Sequence, residues 1–390
     1  MKIVIVQKHP LDILPPLISL IRILQHLGHT IHYIGLSKTE ATVKCLETLE
    51  IPYSLFDWPV VTFRNHPVLR LKQKLLSPLL PFIFRRWIWA EIEKIICNSK
   101  DYVVWTHSMN TASLIGDKAL NWGKRHIVSL YDLGDEFGRQ LSGFSIEKLY
   151  NNATIVECEY NRAHIIMAMK NLPTLPFVLP NKPYPSYRLR DMRVTDECAA
   201  RIVDSWRDKK VILYQGALQA DRGGLFNVIE TLCEELPNTI VAVMGKNIGR
   251  IAELKRRFAN FCHVPYIAPP GHLEVTSHAH IGIAMYNGGA VYGLSPLNPV
   301  YCAPNKIYEY SGFGLPMLCN DIPGLRYSVG IAKAGICVDE TNRDAVVDAT
   351  REMLNNYETF SANATRFYDS VDTVRIVQDI LDYAIGGKSL

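Results

Sequence analysis

Short runs of aliphatic and β-branched residues alternate with helix-length amphipathic segments along the whole chain. They form two series, separated by a stretch rich in proline and arginine. In the first series the strand-like runs fall at 2–6, 31–35, 101–106, 126–131, 153–157 and 176–179. Between the first two lies a helical pattern, with Leu17, Leu20, Ile21, Leu24 and Leu27 at i, i+3, i+4 spacing. Pro15 and Pro16 suit its first turn and Gly28 its end. Runs that are apolar at nearly every position are buried on both faces, the habit of parallel strands. Alternation with helices then implies a parallel sheet covered on both sides. Residues 180–194, with Pro180, Pro183, Pro185, Arg188, Arg190 and Arg193, read as a linker. The second series runs through strands at 210–215, 239–244, 262–267, 280–285, 316–319 and 335–338, with helices near 224–236, 248–259 and 305–313. The tail, 342–385, is helical. The expected fold is therefore α/β: two tandem Rossmann-like domains, 1–182 and 183–370, and a helical C-terminus whose last helix, 371–390, can pack back on the first domain. Neither series opens with G-x-G-x-x-G after its first strand, so the usual dinucleotide fingerprint is missing.

Composition removes several classes of function. The net charge is +4 over 390 residues, too weak for a protein that wraps nucleic acid. The nine cysteines never fall at Cys-x-x-Cys spacing. A zinc ribbon, a thioredoxin-like centre and a disulfide framework are thus not expected, and reduced thiols in a cytosolic protein are. Met1 to Gln7 is too short and lacks the flanks of a signal peptide. No segment supplies the ~20 clean apolar residues of a bilayer span.

One segment departs from the alternating pattern. Residues 64–94 carry seven Lys and Arg against Glu91 and Glu93, a local excess above that of the whole chain. Leucines, Phe82, Ile83, Phe84, Trp87, Ile88 and Trp89 are interleaved. Basic residues beside aromatic ones suit a helix lying on an anionic membrane surface, with Arg85, Arg86, Trp87 and Trp89 in contact. A helical hairpin packed on the first domain, its charges merely solvated, fits the same composition.

Two stretches could bind an anionic ligand. In 303–318, Pro304 before Asn305 and Lys306 fits a helix start. Lys306, Glu309 and Tyr310 then share one helix face, and Gly312, Gly314 and Pro316 lead into the next strand. The helix N-terminus with Lys306 suits a phosphate, and Glu309 could accept hydrogen bonds from a ribose diol. In 211–224, Gly216 follows a strand, and Arg222 and Gly223 precede a helix. A glycine there lets backbone approach a ligand, and a guanidinium can clamp a diphosphate. Both junctions in one domain point to a nucleotide diphosphate.

Taken together these stretches resemble the family-4 class of retaining glycosyltransferases. Gly28-His29-Thr30-Ile31 is similar to the family's first helix end and second strand, and Leu179-Pro180-Asn181 to its segment before the linker. Residues 211–224 resemble its strand–Gly–basic–Gly element, and Asn305-Lys306-Ile307-Tyr308-Glu309-Tyr310 is the most specific match. The resemblance implies the GT-B architecture, two Rossmann-like domains facing across a cleft. It also implies that Glu309 holds the donor ribose and that Arg222 and Lys306 neutralise the donor diphosphate, with no cofactor and no metal. The chain departs from the family at Tyr301, where many members carry a second glutamate, and at Ala217, where many carry arginine. Its first loop, Lys8 to Pro16, lacks the usual Gly-Gly.

The first domain is expected to supply the acceptor side. Strand 126–131 leads into Asp132 and Asp135, and strand 101–106 into His107; functional residues of open α/β sheets lie beyond strand C-termini. Asp132 resembles by position the family's polar residue at the sugar face. It could equally cap a helix, and His107 could be an ordinary loop histidine. The function expected is retaining transfer of a sugar, from a nucleotide-diphospho-sugar of UDP type to a lipid-linked or polysaccharide acceptor. The protein would sit on the inner face of a membrane. Asp132, Arg222 and Lys306 are the expected catalytic residues. Gly216, Gly223, Asn305 and Glu309 complete the donor side, and His107 and Asp135 the acceptor side. A nucleotide-sugar 2-epimerase and a non-catalytic nucleotide-sugar-binding partner in a membrane assembly are the alternatives.

Overall fold

From Ile3 to Gln7 every residue of the first strand is buried. A strand apolar and covered on both faces belongs in the middle of a parallel sheet, and that is its place in the computed structural model of the chain. Residues 1–56, 80–97, 99–133, 144–216, 224–246, 250–286 and 295–386 are described. The chain forms two units. One comprises Met1–Leu179 with Thr373–Leu390, the other Pro180–Asp372.

The first unit is built on seven parallel strands: β1 (Lys2–Gln7), β2 (Thr30–Gly35), β3 (Tyr53–Leu55), β4 (Tyr102–His107), β5 (His126–Leu130), β6 (Thr154–Glu157) and β7 (Phe177–Val178), in the order β3-β2-β1-β4-β5-β6-β7. The Pro15–His26 helix buries Leu17, Leu20, Ile21 and Leu24, the face its periodicity predicts. The closing helix, Thr373–Gly386, belongs to this unit and stacks Tyr383 edge-on against Phe177 of β7.

The second unit holds six parallel strands: β8 (Lys210–Gln215), β9 (Thr239–Met244), β10 (Phe261–Val264), β11 (Ile281–Ala284), β12 (Met317–Asn320) and β13 (Gly335–Val338), in the order β10-β9-β8-β11-β12-β13. The sheet is covered on both faces. Leu318 and Val338 pack into one core with the Leu225–Glu235 and Arg343–Asn355 helices, while Met317 and Cys319 pack into the other with the Asn305–Gly312 helix. The stretch expected to be a linker is instead strapped to this unit. Lys182 donates to the carbonyls of Tyr368 and Val371 at 2.7 and 2.6 Å, and Arg190 to that of Ala279 at 2.6 Å. Lys182, at the carbonyl-rich end of the Tyr357–Asp369 helix, is favourably placed against its dipole.

Candidate functional site

In the second unit the strand order reverses between β8 and β11, and such a switch point opens a crevice at the strand C-termini. Only Ile212–Ile281 and Leu213–Gly282 are in register before the two strands part. Tyr310 fills the gap. Its hydroxyl accepts the backbone N–H of Gln215 at 3.1 Å, and its proton faces the carbonyls of Leu213 and Ile283 at 3.2 and 3.3 Å. The phenol thus replaces the ladder bonds that the splayed strands cannot make. It reaches them because β11 has glycine at 282, where a Cβ would stand 2.3 Å from the Tyr310 ring. Burial also pushes the Tyr310 phenol well above its ordinary pKa, so it stays protonated.

This fixes the Asn305–Gly312 helix over the crevice. Pro304, in an extended conformation, starts it, and Asn181 donates to the Ala303 carbonyl at 2.9 Å just ahead. Asn305 opens the first turn. Lys306 follows, buried, with its ammonium 3.1 Å from the Tyr286 hydroxyl and 4.7 Å from the ring centres of both Tyr214 and Tyr286. Two aromatic faces steady a cation in this way. Asn320, at the end of β12, holds the Tyr286 backbone by both its N–H and its carbonyl, at 2.9 and 2.7 Å. Gly216, at φ +134°, passes beneath the lysine, and a side chain there would meet Cε at 2.9 Å.

Glu309, one turn on, is buried with only 7% of its surface exposed. One carboxylate oxygen accepts the Gln215 amide at 2.5 Å, and the other lies 3.4 Å from His272 Nε2. The Gln215 carbonyl oxygen is held in turn by the Thr276 hydroxyl at 2.5 Å. Burial alone would push the Glu309 carboxyl up. His272, Lys306 and the Gln215 amide outweigh that and hold it below its ordinary value, so it is ionised. A lysine and a carboxylate are thereby presented one turn apart at the switch-point crevice. Gln215, His272, Thr276 and Tyr310 were not among the expected site residues. They lie up to 95 residues apart in sequence, and only the fold joins them.

Of the other expected donor residues, Arg222 and Gly223 lie outside the described residues, as does Asp135 on the acceptor side. Asp132 is exposed, just past β5. His107 requires a correction, because it is fully buried and not a loop residue open to an acceptor. Its ring stacks between Trp105 and Tyr131, and Nδ1 lies 2.8 Å from the Tyr131 hydroxyl. Burial pushes its pKa down to about 3, so the ring is neutral. Beneath the same strand ends lies a buried ion pair, Arg162 and Glu157 at 3.7 Å. Arg162 also donates to the Tyr131 carbonyl at 2.9 Å. Burial pushes the Glu157 carboxyl up to about 7, with Arg162 opposing.

In the basic aromatic segment two of the expected membrane contacts, Trp89 and Arg85, require correction, and residues 64–79 lie outside the described residues. Its described part is the Leu80–Ile96 helix. Trp89 is core: it is buried, donates to the Ile115 carbonyl at 3.0 Å and packs 4.5 Å from Trp122. Arg85 is spent on the Leu114 and Ser113 carbonyls at 3.0 and 3.1 Å. Trp87 is half-buried, edge-on to Phe56. Arg86, Phe82 and Ile83 are exposed, Phe82 at 57%, as are Ala90, Glu93 and Lys94 farther along the helix. No helix among the described residues is long and apolar enough to cross a membrane.

No protein-family profile matches the sequence, and no curated protein matches it. Solved structures do match over nearly the full length of both chains. Anabaena HepE in complex with UDP superposes with a TM-score of 0.65 at 13% identity, covering 98% of this chain and 99% of that one. A glycosyltransferase from Rickettsia africae gives 0.63 at 14% identity, covering 99% and 100%. A Listeria monocytogenes protein, provisionally assigned as a UDP-N-acetylglucosamine 2-epimerase, gives 0.62 at 12% identity, covering 100% and 98%. At such identities the likeness establishes the fold, which is GT-B: two Rossmann-like units, with parallel sheets of seven and six strands and a helical C-terminus.

Proposed function

We propose that the protein is a retaining glycosyltransferase that takes a sugar from a nucleotide-diphospho-sugar of UDP type. The observation that carries this reading is the pair Lys306 and Glu309, one turn apart at the β8/β11 switch point. A buried ammonium suits the diphosphate, and an ionised carboxylate suits the ribose diol. Gly216 allows the backbone to approach closely. Structures of the same fold are known with UDP and with UDP-glucose, in both cases Anabaena HepE. Loss of the nucleotide diphosphate builds negative charge, which Lys306, Arg222 and the N-terminal amides of the Asn305–Gly312 helix would stabilise. Chemistry of this kind depends on positioning and electrostatics and needs no bound metal in our reading. Asp132 is assigned to the sugar side. The acceptor is assigned as lipid-linked or polysaccharide. Membrane contact is assigned to the exposed end of the Leu80–Ile96 helix, where Phe82 and Ile83 stand beside Arg86.

The test is a screen of nucleotide sugars with lipid-linked and soluble glycan acceptors, with and without chelator. Acceptor-dependent release of nucleotide diphosphate that survives chelation is the expected result. The Listeria neighbour gives weight to a second reading, a nucleotide-sugar 2-epimerase on the same fold. An epimerised nucleotide sugar formed without any acceptor would select that reading and overturn the first.

A further inference from the structure

The Glu309 carboxylate sits in a closed ring of polar contacts. Gln215 Nε2 donates to one oxygen at 2.5 Å, and His272 Nε2 approaches the other at 3.4 Å. The Thr276 hydroxyl lies 2.5 Å from Gln215 Oε1 and 3.0 Å from the His272 carbonyl. The ionised carboxylate settles the amide's orientation: it can only accept, so Gln215 turns its NH2 toward Glu309 and its carbonyl oxygen toward the Thr276 hydroxyl. The ring closes through the short His272–Thr276 helix, which carries both flanking residues. A carboxylate has about four acceptor positions. Two are taken by the ring, which leaves about two on a group that cannot rotate.

We propose that His272 and Gln215 are positioning residues of the nucleotide site. They hold Glu309 in the one orientation in which its remaining lone pairs can receive both hydroxyls of a nucleoside cis-diol. Discrimination between a ribonucleotide and its 2′-deoxy form then depends on two residues that need not touch the ligand. This rests on the reading of Glu309 as the ribose contact. It goes further in naming what makes that contact selective.

The experiment is calorimetric titration of the whole protein with UDP, GDP, ADP and CDP, followed by the 2′-deoxy form of the tightest binder. Wild type should bind the ribo form about tenfold or more tightly, the loss expected for one hydrogen bond to a charged group. In His272→Ala, affinity for the ribo form should fall further than that for the deoxy form, which has only its 3′-hydroxyl contact to lose, so that the ratio collapses toward one. Thr276→Val should lower the ratio part of the way. His272→Gln, which keeps an N–H donor, should restore most of it and shows that the fold is intact. If both affinities fall in parallel in His272→Ala, the residue is merely structural and the inference is overturned. If wild type binds none of the four nucleotides, or Glu309→Ala leaves the ratio unchanged, the reading of the site itself fails, and the inference with it.

Discussion

Replacing Tyr310 by phenylalanine isolates the contribution of one hydroxyl to the crevice. Phenylalanine keeps the ring that packs on Gly282, so no cavity opens and the oxygen is the whole perturbation. That oxygen accepts the N–H of Gln215 and faces the carbonyls of Leu213 and Ile283. Each is buried backbone at the point where β8 and β11 separate. Leaving a buried group unpaired costs about 1–3 kcal/mol. Carbonyls tolerate under-satisfaction better than N–H groups do. The Gln215 amide should therefore dominate, and the total should be about 2–4 kcal/mol. For a unit of 150–250 residues, each kcal/mol moves the midpoint by roughly 2–4 °C. The transition of the second unit should thus fall by about 4–16 °C in scanning calorimetry. Nucleotide affinity should fall with it, since the displaced Gln215 also holds Glu309. A shift below about 1 °C would refute the reasoning, because the strands would then be closing the gap without the phenol.

Lys306→Ala should lower kcat by roughly a hundredfold while raising KM less, because leaving-group charge grows in the transition state; raised KM with intact kcat would argue against this role. Glu157 gives a pH signature. Its folded pKa, up at about 7, exceeds the unfolded value of about 4.3, so folding takes up a proton between the two. Its contribution is complete below the unfolded pKa and is lost as pH rises to about 7. Glu157→Gln should therefore flatten the fall in Tm from pH 5 to 8, and parallel slopes would contradict the assignment. Phe82→Ser with Arg86→Glu should reduce sedimentation with vesicles containing anionic lipid, by about 1 kcal/mol for each basic residue removed from the surface. Equal sedimentation of variant and wild type would leave that helix end without a membrane role.

Both sheets were legible because their strands are short, apolar at nearly every position and separated by helices. β3 was not, since its three residues, Tyr53–Leu55, form an edge strand that is never fully buried and so leaves no apolar run. Lys306 and Glu309 were legible from Pro304, the i, i+3 spacing and the closing glycines. The groups that fix them were not. A glutamine, a histidine and a threonine at 215, 272 and 276 have no spacing that marks a ring. Composition alone does not mark Trp89 as core, but spacing does: Ile88, Trp89 and Ile92 are buried together, and with Ile95 and Ile96 they form an apolar stripe at helical spacing. The burial of His107 is not legible in sequence because a strand's last residue can turn inward, here between two aromatic rings.

Titration of wild type and Glu309→Ala with UDP, by calorimetry at one salt concentration, tests the central claim most directly. A buried carboxylate that receives a ribose diol contributes about 1.5–3 kcal/mol through hydrogen bonds to a charged group. The account predicts saturable one-to-one binding to wild type, weakened at least about tenfold in the variant. Equal affinity in the two proteins would contradict it and place the nucleotide, if one binds, away from the β8/β11 crevice.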